Sequence, residues 1–316
     1  MARKIGILFG EERSFPPAIV DEVNRRGDGR VVAESVHVGA VHQDDIPSYD
    51  LILDRISHQV PFYRTLVKVV AARGTQVINN PFWWSADDRF LSNVIAEAAG
   101  VAVPRTVLLP HKAHPPDTGP DTFSNLEFPL RWDEVFAYLG FPIFLKPANG
   151  GGRGDVYRVA DPEEFFRAYD GTHTLSMIAQ EAIESAEYYQ CYALGRERVR
   201  VMRYDPRMPA EYRYVRDAPP PDGKLLTRVR KDCLNLCREL GYDFNTLEFA
   251  VRDGVPYAID FMNPAPDCDP FSVGQENFDW VLHNAAEILI DRALNPRPLE
   301  VAGKWARRRN PRTTQG

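Results

Sequence analysis

The stretch FPIFLKPANGGGRGDVYRVA, residues 141–160, sets Lys146 just ahead of a run of glycines. A phosphate-binding P-loop places its lysine after the glycines and runs into a helix N-terminus. Here the glycines lead into VYRV, a second strand-like run. The segment therefore predicts a β-hairpin with a mobile tip, not a strand–loop–helix unit. A helix follows only in DPEEFFRAYD (161–170), with Asp161 expected as N-cap, Pro162 as the first helical residue and Glu164 completing a capping box.

Outward from this hairpin the pattern changes twice. Upstream, SADDRFLSNVIAEAAGVAVP (85–104) reads as a capped amphipathic helix closed by Gly100. Between that helix and the hairpin, residues 110–131 hold five prolines and make an unusually long connection, either a functional lid or an insert. Further upstream, KIGILFG and the runs after it alternate strand and helix to about residue 80, which predicts a small parallel α/β unit. Gly6 and Gly10 there do not complete a dinucleotide fingerprint.

Downstream, LSMIAQEAI reads as a strand, and YYQCYALGRERVRVMRY as a hairpin turning at Gly195. A helix over about 224–240 ends at Gly241, a last hairpin NTLEFAVRDGVPYAIDFMNP turns at Asp253-Gly254, and FDWVLHNAAEILIDRAL closes the fold. The expected division is 1–80, 81–184 with the glycine hairpin, 185–300 with the last hairpin, and a basic tail, 301–316.

Bulk properties narrow the function. The 316 residues are 44% hydrophobic and 26% charged, with a net charge of −6. That balance suits a folded chain of more than one unit and gives no electrostatic case for nucleic acid. No apolar run is long enough for a membrane span and no secretory leader is evident, so a cytoplasmic location is expected. Cys191, Cys233, Cys237 and Cys268 lack zinc-site spacing, and Cys233 and Cys237 fall on the apolar face of the 224–240 helix.

The last hairpin carries acids among apolar strand residues: Glu248 in TLEFAV and Asp260 in YAIDFM. A three-residue loop, Arg252 to Gly254, would put both on one sheet face, where a cation is needed to offset their repulsion. With a two-residue loop the faces differ. Oxygen ligands favour magnesium or manganese, and Asn263 stands close by.

Taken in order, the acid-then-arginine helix start (DDRF), the lysine strand with its glycine tip, the strand ending Gln-Glu-x-Ile and the acidic hairpin resemble the ATP-grasp superfamily. The resemblance is to its carboxylate–amine ligases of the glutathione synthetase and ribosomal-protein glutamate ligase type, and covers about residues 80–290. It implies an α/β fold with α+β subdomains, the ATP-grasp fold preceded by a parallel α/β domain. By that resemblance Lys146 and Arg89 contact phosphates, and the tip with Asn149, Gly150, Gly151 and Gly152 folds over the triphosphate; Arg153, within that tip, is a candidate to bind substrate, with ATP and water as the other readings. Gln180, Glu181 and Ile183 line the adenine hinge, Glu187 binds ribose, and Glu248, Asp260 and Asn263 hold magnesium. The family usually spaces the last two ligands acid-x-Asn, whereas DFMN has one residue more, so Asn263 needs a bulge or the strand end. Thr246 stands where relatives carry an arginine, and Arg200, Arg203 and Arg213 are candidates to supply that charge. Arg55 is a candidate to hold a substrate carboxylate, with an Asp54 ion pair as the plainer reading.

The implied activity is ATP-dependent amide formation from small-molecule carboxylate and amine substrates through an acyl phosphate. Alternatives within reach of the same scaffold are a small-molecule kinase and a non-catalytic nucleotide-binding regulator. A homodimer is compatible with the resemblance.

Overall fold

The computed structural model describes residues 1–84, 88–149, 155–185, 187–215 and 222–297. The chain forms two compact units: residues 1–86, 187–249 and 260–316 in the first, and residues 87–186 and 250–259 in the second.

In the first unit, β1 (Arg3–Leu8), α1 (Phe15–Arg26), β2 (Val31–Ser35), β3 (Leu51–Asp54), α2 (Pro61–Ala72) and β4 (Gln76–Ile78) alternate as expected. The strands form an all-parallel sheet in the order β2-β1-β3-β4. Parallel strands need crossover helices, so both sheet faces are covered, and Ile5, Ile7, Leu51, Ile52 and Leu53 are all buried. A short α3 (Pro81–Trp84) follows.

The second unit opens with α4 (Arg89–Ala98), whose Asp88 N-cap accepts a 2.6 Å bond from the Leu91 N–H, as the sequence predicts. Then come β5 (Thr106–Leu109), α5 (Trp132–Leu139), β6 (Ile143–Pro147), β7 (Tyr157–Val159), α6 (Pro162–Asp170) and β8 (Met177–Glu181). Their antiparallel sheet has the order β5-β8-β6-β7. Alternate residues Ile143, Leu145, Met177 and Ala179 form a core with Leu139, Phe165 and Tyr169 from α5 and α6. Period-2 alternation sends Thr106, Phe144, Lys146, Ile178 and Gln180 to the opposite face. At the start of α6, Asp161 accepts from the Glu164 N–H at 2.9 Å, but the Glu164 carboxylate takes the Ala160 N–H at 2.8 Å, one residue before the expected capping-box partner.

The 110–131 connection contains a 3₁₀ turn over Pro120–Phe123 and is fastened near α6 by Lys112–Asp170 at 2.7 Å and by the Ala113 N–H on the His173 carbonyl at 2.8 Å.

The chain then returns to the first unit with β9 (Tyr188–Leu194), β10 (Arg198–Tyr204) and α7 (Gly223–Glu239), and continues through β11 (Phe244–Arg252), β12 (Val255–Asp260), α8 (Pro270–Val273) and α9 (Gln275–Leu294). These strands are ordered β10-β9-β11-β12. Helix α9 packs on α1, and Ile19, Val23, Val281, Ala285 and Leu289 are buried in one cluster. All four cysteines are free and buried, with Cys233 and Cys237 on the inner face of α7. Among the described residues no helix is long and apolar enough to cross a membrane.

The last hairpin departs from the sequence reading. Its loop is the two-residue turn Asp253-Gly254, with φ of 53° and 73°, the pattern of a type I′ turn. That turn pairs Arg252 with Val255, so Glu248 falls opposite Ile259 and Asp260 opposite Leu247. In regular pairing the two acids then occupy opposite faces, and the shared-face argument does not hold.

Candidate active site

Two of the expected nucleotide residues of the second unit, Lys146 and Gln180, come together on one sheet face. The ammonium of Lys146 donates to Gln180 Oε1 at 3.0 Å, Gln180 Nε2 donates to Thr106 Oγ1 at 3.0 Å, and Thr106 Oγ1 donates to the Pro104 carbonyl at 2.9 Å. Strand register produces this row: Gln180 stands across from both Thr106 and Phe144, and Lys146 is the next same-face residue along β6. Gln180 is 3% exposed, so its amide orientation is fixed by these two partners. Thr106 was not singled out in the sequence; only register against Gln180 reveals it.

Arg89 joins the same neighbourhood. Its backbone N–H bonds the Ala148 carbonyl at 2.9 Å and its guanidinium the Pro147 carbonyl at 2.7 Å, both just past Lys146. Asn149 is exposed where the hairpin leaves the sheet. Gly150, Gly151, Gly152 and Arg153 lie outside the described residues, as does the 301–316 tail.

Glu181 points away from that row. Its carboxylate is gripped by Arg105 Nε at 3.0 Å and Arg252 Nη1 at 2.6 Å. Burial alone would raise its pKa, but these two arginines hold it below the usual carboxylate value. The side chain is thus committed to a clamp. Ile183 is buried beside it. The clamp also ties the tip of the last hairpin, where Ser185 Oγ donates to the Val251 carbonyl at 2.6 Å.

The first unit carries the remaining candidates. Glu187, half-buried, pairs with Arg203 at 2.9 Å and accepts from the Tyr189 hydroxyl. Burial, with the Glu187 carboxylate next, pushes the Tyr189 pKa up to about 12. The three candidate arginines are not brought together. Arg200 reaches Asn277 at 3.0 Å and Glu276 at 2.5 Å, at the start of α9, whereas Arg213 bonds the Met208 carbonyl at 2.9 Å.

Arg55 has a different partner from the one expected. Its buried guanidinium forms a two-pronged pair with Glu12, bonds the Pro266 carbonyl at 2.5 Å and stacks over Phe15 at 4.8 Å. Asp54 instead accepts from the Ser57 hydroxyl and the backbone N–H groups of Ile56 and Ser57. Nη1 of Arg55 is buried without a hydrogen-bond partner among the described residues.

For a divalent cation the donor type fits, but in regular pairing only Glu248 and Asn263 share a face, because Asn263 touches Thr246, two residues before Glu248 on β11, while Asp260 falls on the other face. Glu248, exposed Asp260 and the Asn263 amide offer only oxygen, the ligand type magnesium takes. Among the described residues no group of three or more His, Cys, Asp or Glu forms a metal cluster, and this set contains only two carboxylates. Asn263 donates from Nδ2 to Thr246 Oγ1 at 3.0 Å, so Thr246 touches the expected ligand.

No family model matches the chain. It is 26% identical over 194 residues to a D-alanine–D-alanine ligase of Dechloromonas aromatica, covering 57% of this chain and 58% of that protein. It is 28% identical over 167 residues to a probable α-L-glutamate ligase of Vibrio vulnificus, covering 51% and 50%. The chain thus spans about half the length of these two curated relatives. Among solved structures, a RimK domain ATP-grasp protein of Sphaerobacter thermophilus matches with a TM-score of 0.65 at 16% identity, over 92% of this chain and 99% of that one. The D-alanine–D-alanine ligase of Bacillus anthracis complexed with ATP matches with a TM-score of 0.61 at 16% identity, over 93% and 97%. The ATP-grasp ligase PsnB complexed with a minimal precursor, Mg and ADP matches with a TM-score of 0.60 at 12% identity, over 92% and 98%. The glycine hairpin with its lysine row and the acidic hairpin therefore belong to a chain that has the ATP-grasp fold.

Proposed function

We propose that this chain is an ATP-dependent carboxylate–amine ligase that forms an amide bond and releases ADP and phosphate. The observation that carries the reading is the hydrogen-bonded row Lys146–Gln180–Thr106 at the root of the glycine hairpin, in an ATP-grasp fold. The names of the sequence relatives, ligases for D-alanine and glutamate, support amino-acid or peptide substrates.

In this reading Lys146 and Arg89 neutralise the triphosphate, and backbone N–H groups of the 149–154 tip close over it. The backbone at Gln180–Ile183 meets the adenine edge, and Glu187 the ribose. A substrate carboxylate oxygen attacks the γ-phosphorus, the bond to the ADP oxygen breaks, and an acyl phosphate results. The amine then attacks the acyl carbon, phosphate leaves, and the amine loses a proton. Side chains do little covalent work; they position and screen charge. Arg203, Arg200 and Arg213 are the candidates for the transferring phosphate, and Arg55 and Arg153 for the substrate carboxylate. Glu248 and Asn263, with Asp260 where the chain leaves regular pairing at the end of β12, would hold magnesium or manganese, which supplies charge neutralisation at the phosphates.

A phosphate-release screen over paired amino acids and amines tests the proposal. Phosphate formation dependent on both substrates supports it. ADP formation with a phosphorylated product and no amine requirement would instead make the chain a kinase. Thr246, in the place of the relatives' arginine, favours a second reading as a nucleotide-binding regulator; ATP binding with no turnover across the panel would establish that reading.

A further inference from the structure

The extra residue in Asp260-Phe-Met-Asn263 leaves Asn263 one position out of step with an acid-x-Asn spacing. β12 ends at Asp260, so the main-chain groups beyond it need partners other than a ladder. Asn245 supplies them. Its side chain, 0% exposed, donates from Nδ2 to the Phe261 carbonyl at 2.8 Å and accepts the Asn263 N–H on Oδ1 at 2.9 Å. One amide thus takes both main-chain polar groups flanking Met262 and holds the chain beyond the end of β12. The next residue, Thr246, 3% exposed, receives Asn263 Nδ2 at 3.0 Å. With Nδ2 bonded to Thr246, the oxygen of that amide is the atom available to a cation; its bond from the Ala265 N–H is long at 3.3 Å. Asn79 secures the segment just beyond, donating to the carbonyls of Phe244 at 2.7 Å and Pro264 at 3.2 Å.

We propose that Asn245 and Thr246 are positioning residues that place Asn263 for a divalent cation: Asn245 absorbs the one-residue insertion, and Thr246 sets which end of the Asn263 amide faces the ion. The inference rests on the metal assignment proposed above.

The test is manganese binding by the full chain with ADP, read from the electron paramagnetic resonance signal of free Mn²⁺, for Asn245→Ala, Thr246→Val, Asn263→Ala and the double variant Thr246→Val/Asn263→Ala. Supporting side chains of this kind typically change metal affinity about 10–100-fold. Thr246→Val, nearly isosteric, is expected to weaken Mn²⁺ by about tenfold while metal-free ADP binding stays within about twofold. Because the effect runs through Asn263, the double variant is expected to lose no more than Asn263→Ala alone. Asn245→Ala should lose more than Thr246→Val; if it fails to fold, the Thr246 and Asn263 cycle decides by itself. Unchanged affinity in Thr246→Val, or losses that add in the double variant, overturns the inference. Absence of Mn²⁺ binding by the unmodified chain overturns the metal assignment and the inference together, whereas binding that is indifferent to these variants overturns the inference alone.

Discussion

The β6–β7 and β11–β12 hairpins put their length in opposite places. The first joins two short strands, of five and three residues, through a long glycine-rich connection; the second joins strands of nine and six residues through two residues. In the first, the proposed chemistry sits at the loop and its root, where Lys146 stands three residues before exposed Asn149. In the second, the tip is a tight I′ turn and the candidate residues sit at the base, at Glu248, Asp260 and Asn263. A long loop serves where backbone must move over a ligand; a tight turn serves where the opposite end of the strands must be held in register.

The largest expected effect comes from the first root. Lys146→Ala should lower ATP-dependent turnover at least about 100-fold, as removal of one electrostatic stabiliser commonly does, with the far-ultraviolet circular dichroism unchanged. Asp260→Ala should match it, and a much smaller loss there would mean that the two hairpins do not share one reaction. Glu181→Gln comes next, because it loosens Arg252 at the second hairpin's tip. Hydrogen bonds to charged groups suggest a loss of about 1.5–3 kcal/mol, read by urea unfolding. The sign with pH is fixed: the folded pKa lies below the ordinary 4.5, so this stabilisation is complete above that value and lost as pH falls through the lowered one. In Glu181→Gln that portion of the acid dependence should vanish. Gly254→Ala, at φ 73°, should cost about 1 kcal/mol through the strained turn. Asp253→Asn should gain a few tenths, because Asn-Gly suits a I′ turn.

Local pattern carried most of the fold. The caps at Asp88 and Asp161, the glycine hairpin and the alternation through residue 80 are all written in short-range signals. The Asp253-Gly254 turn was legible as a place but not as a length, since Asp-Gly can be the whole of a two-residue loop or the end of a three-residue one. That single residue decides which faces Glu248 and Asp260 occupy. The candidate row was legible where its residues lie on strands with a clear sequence pattern, as with Lys146 on β6 and Gln180 on β8. It was hidden where partners are distant: Glu12 lies 43 residues from Arg55, and Arg105 and Arg252 lie 76 and 71 residues from Glu181. Thr106 and Asn245 were hidden for a further reason. A lone threonine or asparagine in a strand has no motif, and its role appears only with register.

The four buried cysteines have a practical consequence. Burial pushes the thiols of Cys237 and Cys268 up to about 12 and raises that of Cys233 well above its usual value. Such thiols are protonated and screened from reagents while the chain is folded. The rate at which iodoacetamide labels the native protein therefore clocks its opening, and a labelling rate that falls when ADP and Mn²⁺ are added would count ligand binding without any knowledge of the true substrates.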